Sequence, residues 1–265
     1  MSFDPAPAAA ALIANRQARR PAGPLPPEIA PRDVAEGVAV QVAVARSHGA
    51  WPPGGFKIGA TGSRMQAFLG LPGPAAAFMQ AADIFRGGVS LPFARFAAPQ
   101  VECEIAVRLG RDLPPGAITA EQAAEAVAEL SAAIEIVENR YGPPPIGDLK
   151  ALGTPTLIAD QVYHAACVIG PPASVWRNLD LAALPGRLIV DGVVRDRGIS
   201  ADLLGHPMKA LAWLAGSETV RGFGGLRAGQ AVMLGSVTPS VTLDGPCTVT
   251  VAFDHLPACT LSLTP

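Results

Sequence analysis

The chain is poor in charge: Asp, Glu, Lys and Arg make up 16% of its 265 residues, against about 25% in an ordinary soluble domain. Neither sign dominates, with 20 basic residues standing against 22 acidic ones. The densest basic run, Arg16 to Arg20, holds three arginines and reads as a helix end. Nothing here neutralises a phosphate backbone, which argues against a nucleic acid partner. Cysteine is sparse as well. Cys103, Cys167, Cys247 and Cys259 lie far apart with no Cys-x-x-Cys pair, excluding a dense disulfide scaffold and a zinc ribbon. No apolar run reaches the roughly 18 residues of a membrane span. Asp4 and Pro5 precede the apolar stretch Ala8 to Ala14, and the positive charges follow it, the reverse of a secretory leader. A soluble cytoplasmic protein with free thiols is expected.

Several motifs are missing too. There is no solenoid repeat, no glycine-rich dinucleotide or phosphate loop and no G-x-S-x-G elbow. Regular alternation of strand and helix is also absent, so a doubly wound fold is not expected.

What is there divides near residue 55, into a helical N-terminal part (1–54) and a strand-rich remainder (55–265). One helix is predicted from Ala8 to Ala18, stopping before Pro21. A second starts near Pro31-Arg32-Asp33 and runs through Val34, Val38 and Val42 to about Ser47. Val101 to Leu109 reads as a strand. The T-x-x-Q box at Thr119 and Gln122 opens a helix expected to continue to about Ala132, followed by a strand at Ile134 to Val137. Asp191-Gly192 marks a hairpin, and Pro207 with Gly216 brackets a helix. Strand-like segments at Ala231–Leu234, Thr248–Phe253 and Ala258–Leu263 close the chain. The order predicts an α+β fold with a mainly antiparallel, rolled sheet.

In so uncharged a chain, three glutamates stand out. Glu102 and Glu104 lie two apart in an apolar strand, so both leave on one face while Cys103 and Ile105 take the other. Glu135 sits between Ile134 and Ile136. Adjacent carboxylates repel unless neutralised, and a hard divalent cation does that directly. A solvated sheet face, continued by Ala106 and Arg108, is the competing reading.

The motif order adds to this. Phe56-Lys57-Ile58-Gly59 is followed by Val101-Glu102-Cys103-Glu104-Ile105, then by Ala133-Ile134-Glu135-Ile136-Val137-Glu138-Asn139-Arg140. Ala159-Asp160, Gly205-His206-Pro207, Ala228-Gly229 and Gly235-Ser236 come after, and Asp33-Val34-Ala35 with Gln41 comes before. This order resembles the 2-oxopent-4-enoate hydratase and 4-oxalocrotonate decarboxylase group of the fumarylacetoacetate hydrolase superfamily. The resemblance implies a rolled mixed β-sheet, a partly open barrel, and assembly as a dimer or higher homo-oligomer. It implies Mg²⁺ or Mn²⁺ on Glu102, Glu104 and Glu135, a catalytic or substrate-positioning Lys57, and Ser236 in a substrate-binding loop. Asp160 is a candidate partner of a metal-bound water or of Lys57. Arg140 is a candidate anchor for a substrate carboxylate, in competition with pairing to Glu138 or Asp148.

The group's substrates are 2-oxo acids or their dienols, and a cation chelated by them stabilises charge on the C2 oxygen. The expected activity is addition of water to a 2-hydroxy-alkadienoate. Decarboxylation of a vinylogous 2-oxo acid, acylpyruvate C–C hydrolysis, or a non-catalytic role as partner subunit of a related family member are the alternatives. The chain departs from the group's pattern at Ala75-Ala76-Ala77, where an acidic residue is expected; the nearest acid, Asp83, is eight residues beyond Ala75. Gln161 and Tyr163 likewise stand where the pattern has the shorter asparagine and the smaller serine. His164 is a candidate replacement acid–base group or a structural histidine. His206 is expected to cap the helix beginning at Pro207.

Overall fold

The computed structural model describes residues 3–18, 23–142 and 149–265. Its first half runs α1 (Ala6–Ala18), α2 (Val34–Ser47), β1 (Gly55–Gly59), α3 (Ser63–Leu69), β2 (Ala75–Met79), β3 (Ile84–Arg86) and β4 (Val89–Pro92). Then come β5 (Pro99–Leu109), α4 (Ala120–Ala126), β6 (Val127–Glu138), α5 (Leu149–Ala159) and β7 (His164–Ile169). The second half continues with β8 (Pro185–Val190), β9 (Val193–Ile199), α6 (Pro207–Ala215), α7 (Glu218–Gly222) and β10 (Ala231–Ser236). It ends on β11 (Val241–Thr242), β12 (Cys247–Phe253) and β13 (Cys259–Thr264).

Local signals set many of these boundaries. Asp33 accepts from the Glu36 amide at 2.8 Å and starts α2. Thr119 and Gln122 form the expected capping box of α4. Asp191 and Gly192, at φ of 50° and 77°, make the tight β8–β9 turn. His206 Nδ1 accepts from the Met208 amide at 3.0 Å, so this histidine does cap α6. Arg19 to Ala22 and Asp148 lie outside the described residues.

One prediction needs correcting. The helix expected to reach Ala132 ends at Ala126, and β6 begins at Val127. From Val127 onward the backbone pairs with β5 on one edge and, from Ala133, with β7 on the other. Leu130, Ala132 and Ala133 are buried there. Ladder bonds and burial outweigh the modest helix preference of Ala and Glu.

The larger sheet has eight strands among the described residues, ordered β2-β1-β10-β5-β6-β7-β3, with β11 added to β5; the smaller has five, ordered β4-β13-β12-β8-β9. Neighbours are antiparallel except at β1–β10, β3–β7 and β4–β13. Although β2 and β7 stand near opposite ends of the large sheet, Cys167 Sγ lies 3.8 Å from Met79 Sδ. The sheet therefore curls until its flanks meet, as the rolled architecture predicts. Alternation then sorts the side chains. Val101, Cys103, Ile105, Ile134 and Ile136 turn outward into a core shared with Val249, Val251 and Leu261 of the smaller sheet. Ala106, Ala133, Met79, Met233 and Cys167 turn inward. Ala8, Leu12, Val40 and Val44 of the N-terminal helices join the outer core.

Candidate metal centre

The inner face of β5 and β6 carries the acids. Glu102 stands opposite Glu135 in the β5–β6 register, and Glu104 stands opposite Ala133 on one side and Ser236 of β10 on the other. One carboxylate oxygen from each of Glu102, Glu104 and Glu135 lies within 4.8 Å of the others. Glu104 and Glu135 are fully buried, so the reading of a solvated sheet face does not hold. Glu104 Oε2 accepts from the Gly235 amide at 3.0 Å. Gly235 has φ of +107°, at a register shift in β10, and a Cβ there would lie 2.5 Å from Thr61 Cγ2. Glycine is what allows that amide to face the carboxylate.

Lys57 enters from β1, between Met233 and Ala77 in register. Its ammonium is only 2% exposed. Nζ donates to Val162 O at 2.9 Å and stands 3.3 Å from Glu135 Oε1. The same Glu135 oxygen lies 2.8 Å from His164 Nδ1. Gly59 leaves room for this contact, since a Cβ there would be 2.9 Å from Val162 Cγ1 and 3.4 Å from Lys57 Nζ.

Between Asp160 and His164 the backbone is strained. Gln161, Val162 and Tyr163 have φ of 56°, 50° and 64°, left-handed conformations costing about 1–3 kcal/mol each in non-glycine residues. The turn presents Val162 O to Lys57 and His164 to Glu135.

Electrostatics reflect the crowding. Burial, reinforced by the charge of Glu135, pushes the Glu102 carboxyl up to about 7. Burial pushes Glu104 well above the carboxylate range, and Glu135 and Glu102 add to it. At Glu135 burial acts upward, yet Lys57 and His164 together outweigh it and hold the group below its ordinary value. Burial lowers the His164 imidazole. Glu104 Oε1, Glu135 Oε2 and His164 Nε2 are buried with no hydrogen-bond partner. Two buried carboxylates and a half-buried third face one ammonium, with two oxygens left over. That donor set fits a hard divalent cation, which would supply the missing charge and take up the orphaned oxygens.

Of the residues singled out in the sequence, the structure gathers Lys57, Glu102, Glu104 and Glu135, with Ser236 alongside. Ser236 Oγ donates to Thr238 O at 2.7 Å. Asp160 and Arg140 pair with each other, and Arg140 also lies beside Glu138, the pairing that the sequence offers as its alternative. Arg140 Nε donates to Asp160 Oδ2 at 3.1 Å and its NH1 stands 3.7 Å from Glu138. Ala75 and Ala77 of β2 pack with Val162 and Leu157 into an apolar wall, while Asp83 pairs with Arg95 at 3.0 Å. From sequence alone His164 stands between two roles and Arg16 reads only as a helix end. His164 had one signal, its nearness to Asp160. Arg16 had none, because its partner is 144 residues away.

The fumarylacetoacetate (FAA) hydrolase C-terminal family matches residues 58–261. The chain belongs to this family. Among its relatives, a 2-keto-4-pentenoate hydratase of Burkholderia vietnamiensis is 35% identical over 202 residues, covering 76% of this chain and 74% of that one. A 2-keto-4-pentenoate hydratase of Dechloromonas aromatica is 31% identical over 244 residues, covering 90% and 89%. In fold, the chain is similar to the 4-oxalocrotonate decarboxylase of Pseudomonas putida solved with magnesium and adipate, with a TM-score of 0.86, 21% identity and 99% of both chains covered. Family membership thus accounts for the curled sheet, and the acids lie within the matched region.

Proposed function

We propose that the chain is a divalent-metal-dependent hydro-lyase, adding water to a 2-hydroxy-alkadienoate or its 2-oxo-alkenoate form to give a 4-hydroxy-2-oxo acid. The observation that carries this reading is the buried Glu102–Glu104–Glu135 cluster with Lys57 at its edge, in a family with hydratase-named relatives. Mg²⁺ or Mn²⁺ suits these oxygen donors. When bound, the ion supplies Lewis acidity that stabilises negative charge on the C2 oxygen of a 2-oxo acid.

The remaining work falls to side chains. Lys57 directs its N–H groups at Val162 O and Glu135 and has a third for a substrate carboxylate or for proton movement. Glu135 engages Lys57 and His164 through one oxygen and keeps the other for the cation. Ser236 borders the cluster from β10. The apolar wall at Ala75 to Ala77 excludes water there and offers no proton.

The test follows loss of 2-hydroxypenta-2,4-dienoate by ultraviolet absorbance, with and without Mg²⁺ or Mn²⁺, beside 4-oxalocrotonate and an acylpyruvate. Ion-dependent loss of the dienoate, abolished in Glu104→Ala, is the expected result. CO₂ release from 4-oxalocrotonate alone, or cleavage of the acylpyruvate alone, would reassign the reaction. A wild type that neither binds the ions nor turns over any of the three would overturn the metal–lyase reading.

A further inference from the structure

The strained turn that serves Lys57 and Glu135 is gripped from outside by two arginines. Arg140, at the end of β6, donates to Asp160 Oδ2 and Asp160 O at 3.1 and 3.2 Å, and to His164 O at 3.3 Å. Arg16, in the last turn of α1, repeats the pattern. It donates to Asp160 Oδ1 at 3.0 Å, to Asp160 O at 3.1 Å and to His164 O at 3.4 Å. Each guanidinium therefore ties the carbonyl that begins the turn to the carbonyl that ends it. The planar fork makes such double contacts possible, and a lysine ammonium is a single point. Asp160 and Glu138 balance the two cations. Between the stapled ends lie the three left-handed residues, which stay in that conformation only if the surroundings over-determine them.

We propose that Arg16 is a positioning residue for the metal centre. From a helix outside the matched family region, it holds the Asp160–His164 turn closed, so that Val162 O stays on Lys57 and His164 on Glu135. The inference rests on reading the three glutamates as a metal cradle. Loss of Arg16 removes one of the two staples and leaves Arg140 alone on both carbonyls, which loosens the turn toward ordinary backbone and lets the Glu135 carboxylate rotate. Removing outer partners of a metal ligand weakens metal binding by about 10- to 100-fold.

The test compares wild type, Arg16→Ala, Arg16→Lys and the surface control Arg221→Ala. It measures Mn²⁺ affinity by electron paramagnetic resonance and amide hydrogen exchange over residues 160–164. Arg16→Ala is expected to bind Mn²⁺ about tenfold more weakly and to exchange faster in the turn, with the β5–β6 ladder still protected. Arg16→Lys is expected to fall between it and wild type, and it carries both readouts should the alanine variant not fold. Turn exchange unchanged in both variants, or acceleration spread evenly over the chain, overturns the proposal. If wild type takes up no Mn²⁺, the metal reading fails by itself. Exchange confined to the turn then still upholds the staple, and unchanged exchange removes it.

Discussion

Glu104 has little reason to be ionised in the metal-free protein. It is fully buried, receives one amide hydrogen bond, and faces two other carboxylates. A carboxyl whose folded pKa is raised contributes stability below its unfolded value and loses it as pH climbs through the folded one. For Glu102 that window runs from 4.5 to about 7, and Glu104 shifts in the same direction through burial and its acidic neighbours. With a chelator present, the melting temperature is therefore expected to fall as pH rises across this window. Glu104→Gln should flatten the decline, and equal slopes in both proteins would contradict the electrostatic account. Glu135 has the opposite sign, because Lys57 and His164 hold it ionised. At this scale the acids were legible: two glutamates alternating in an apolar strand and a third between isoleucines leave few ordinary explanations. The partners of Asp160 were not, since side chains 20 and 144 residues away reach it through folding alone.

Elements are joined around the centre by polar side chains with no freedom to change. Gln41 of α2 is fully buried. Its amide nitrogen donates to Ala76 O at 3.1 Å and to Ile158 O at 2.6 Å, and its oxygen accepts from the Phe78 amide at 3.2 Å. One residue thus locks α2 to β2 and α5. Gln41→Leu preserves much of the volume but takes the amide from Ile158 O and Phe78 N–H, while Ala76 O keeps the Thr219 hydroxyl at 3.1 Å; each orphaned group costs about 1–3 kcal/mol. Chemical denaturation should show a loss of at least that size; a neutral effect would mean that water replaces the amide. The same scale shows where sequence signals stop. Caps and turns named their elements correctly at Thr119, Asp191 and Pro207, because those contacts are local. The switch at Val127 was missed because nothing in an Ala- and Glu-rich stretch announces that strands wait on both sides. The short β1, β2 and β7 segments were hidden for a related reason, their strand character being conferred by neighbours distant in sequence.

For the whole molecule, the arrangement couples folding to the ion. The cradle draws on β5 and β6, and its support comes from β1, β7 and β10, so the unfolded chain has no comparable site. A ligand bound only by the folded state at 100 times its dissociation constant adds about 2.7 kcal/mol. In a chain of this size each kcal/mol moves the melting point by about 2–4 °C. Saturating Mn²⁺ is thus expected to raise the melting temperature by several degrees in wild type and hardly at all in Glu104→Ala, as scanning calorimetry would show.

The longest ladder among the described residues, β5 against β6, carries all three acids, whereas the contacts that orient Glu135 and Lys57 come partly from the five residues Asp160 to His164. The spacing of the acids is thus inherited from regular backbone pairing, while the aim of their polar neighbours depends on a strained segment in which four of the five residues are buried. An engineer altering proton handling beside the cradle has little room within that segment, because Asp160 anchors both arginines and His164 orients Glu135. The curled sheet serves as a fixed socket, and the turn as the pin that sets what sits in it.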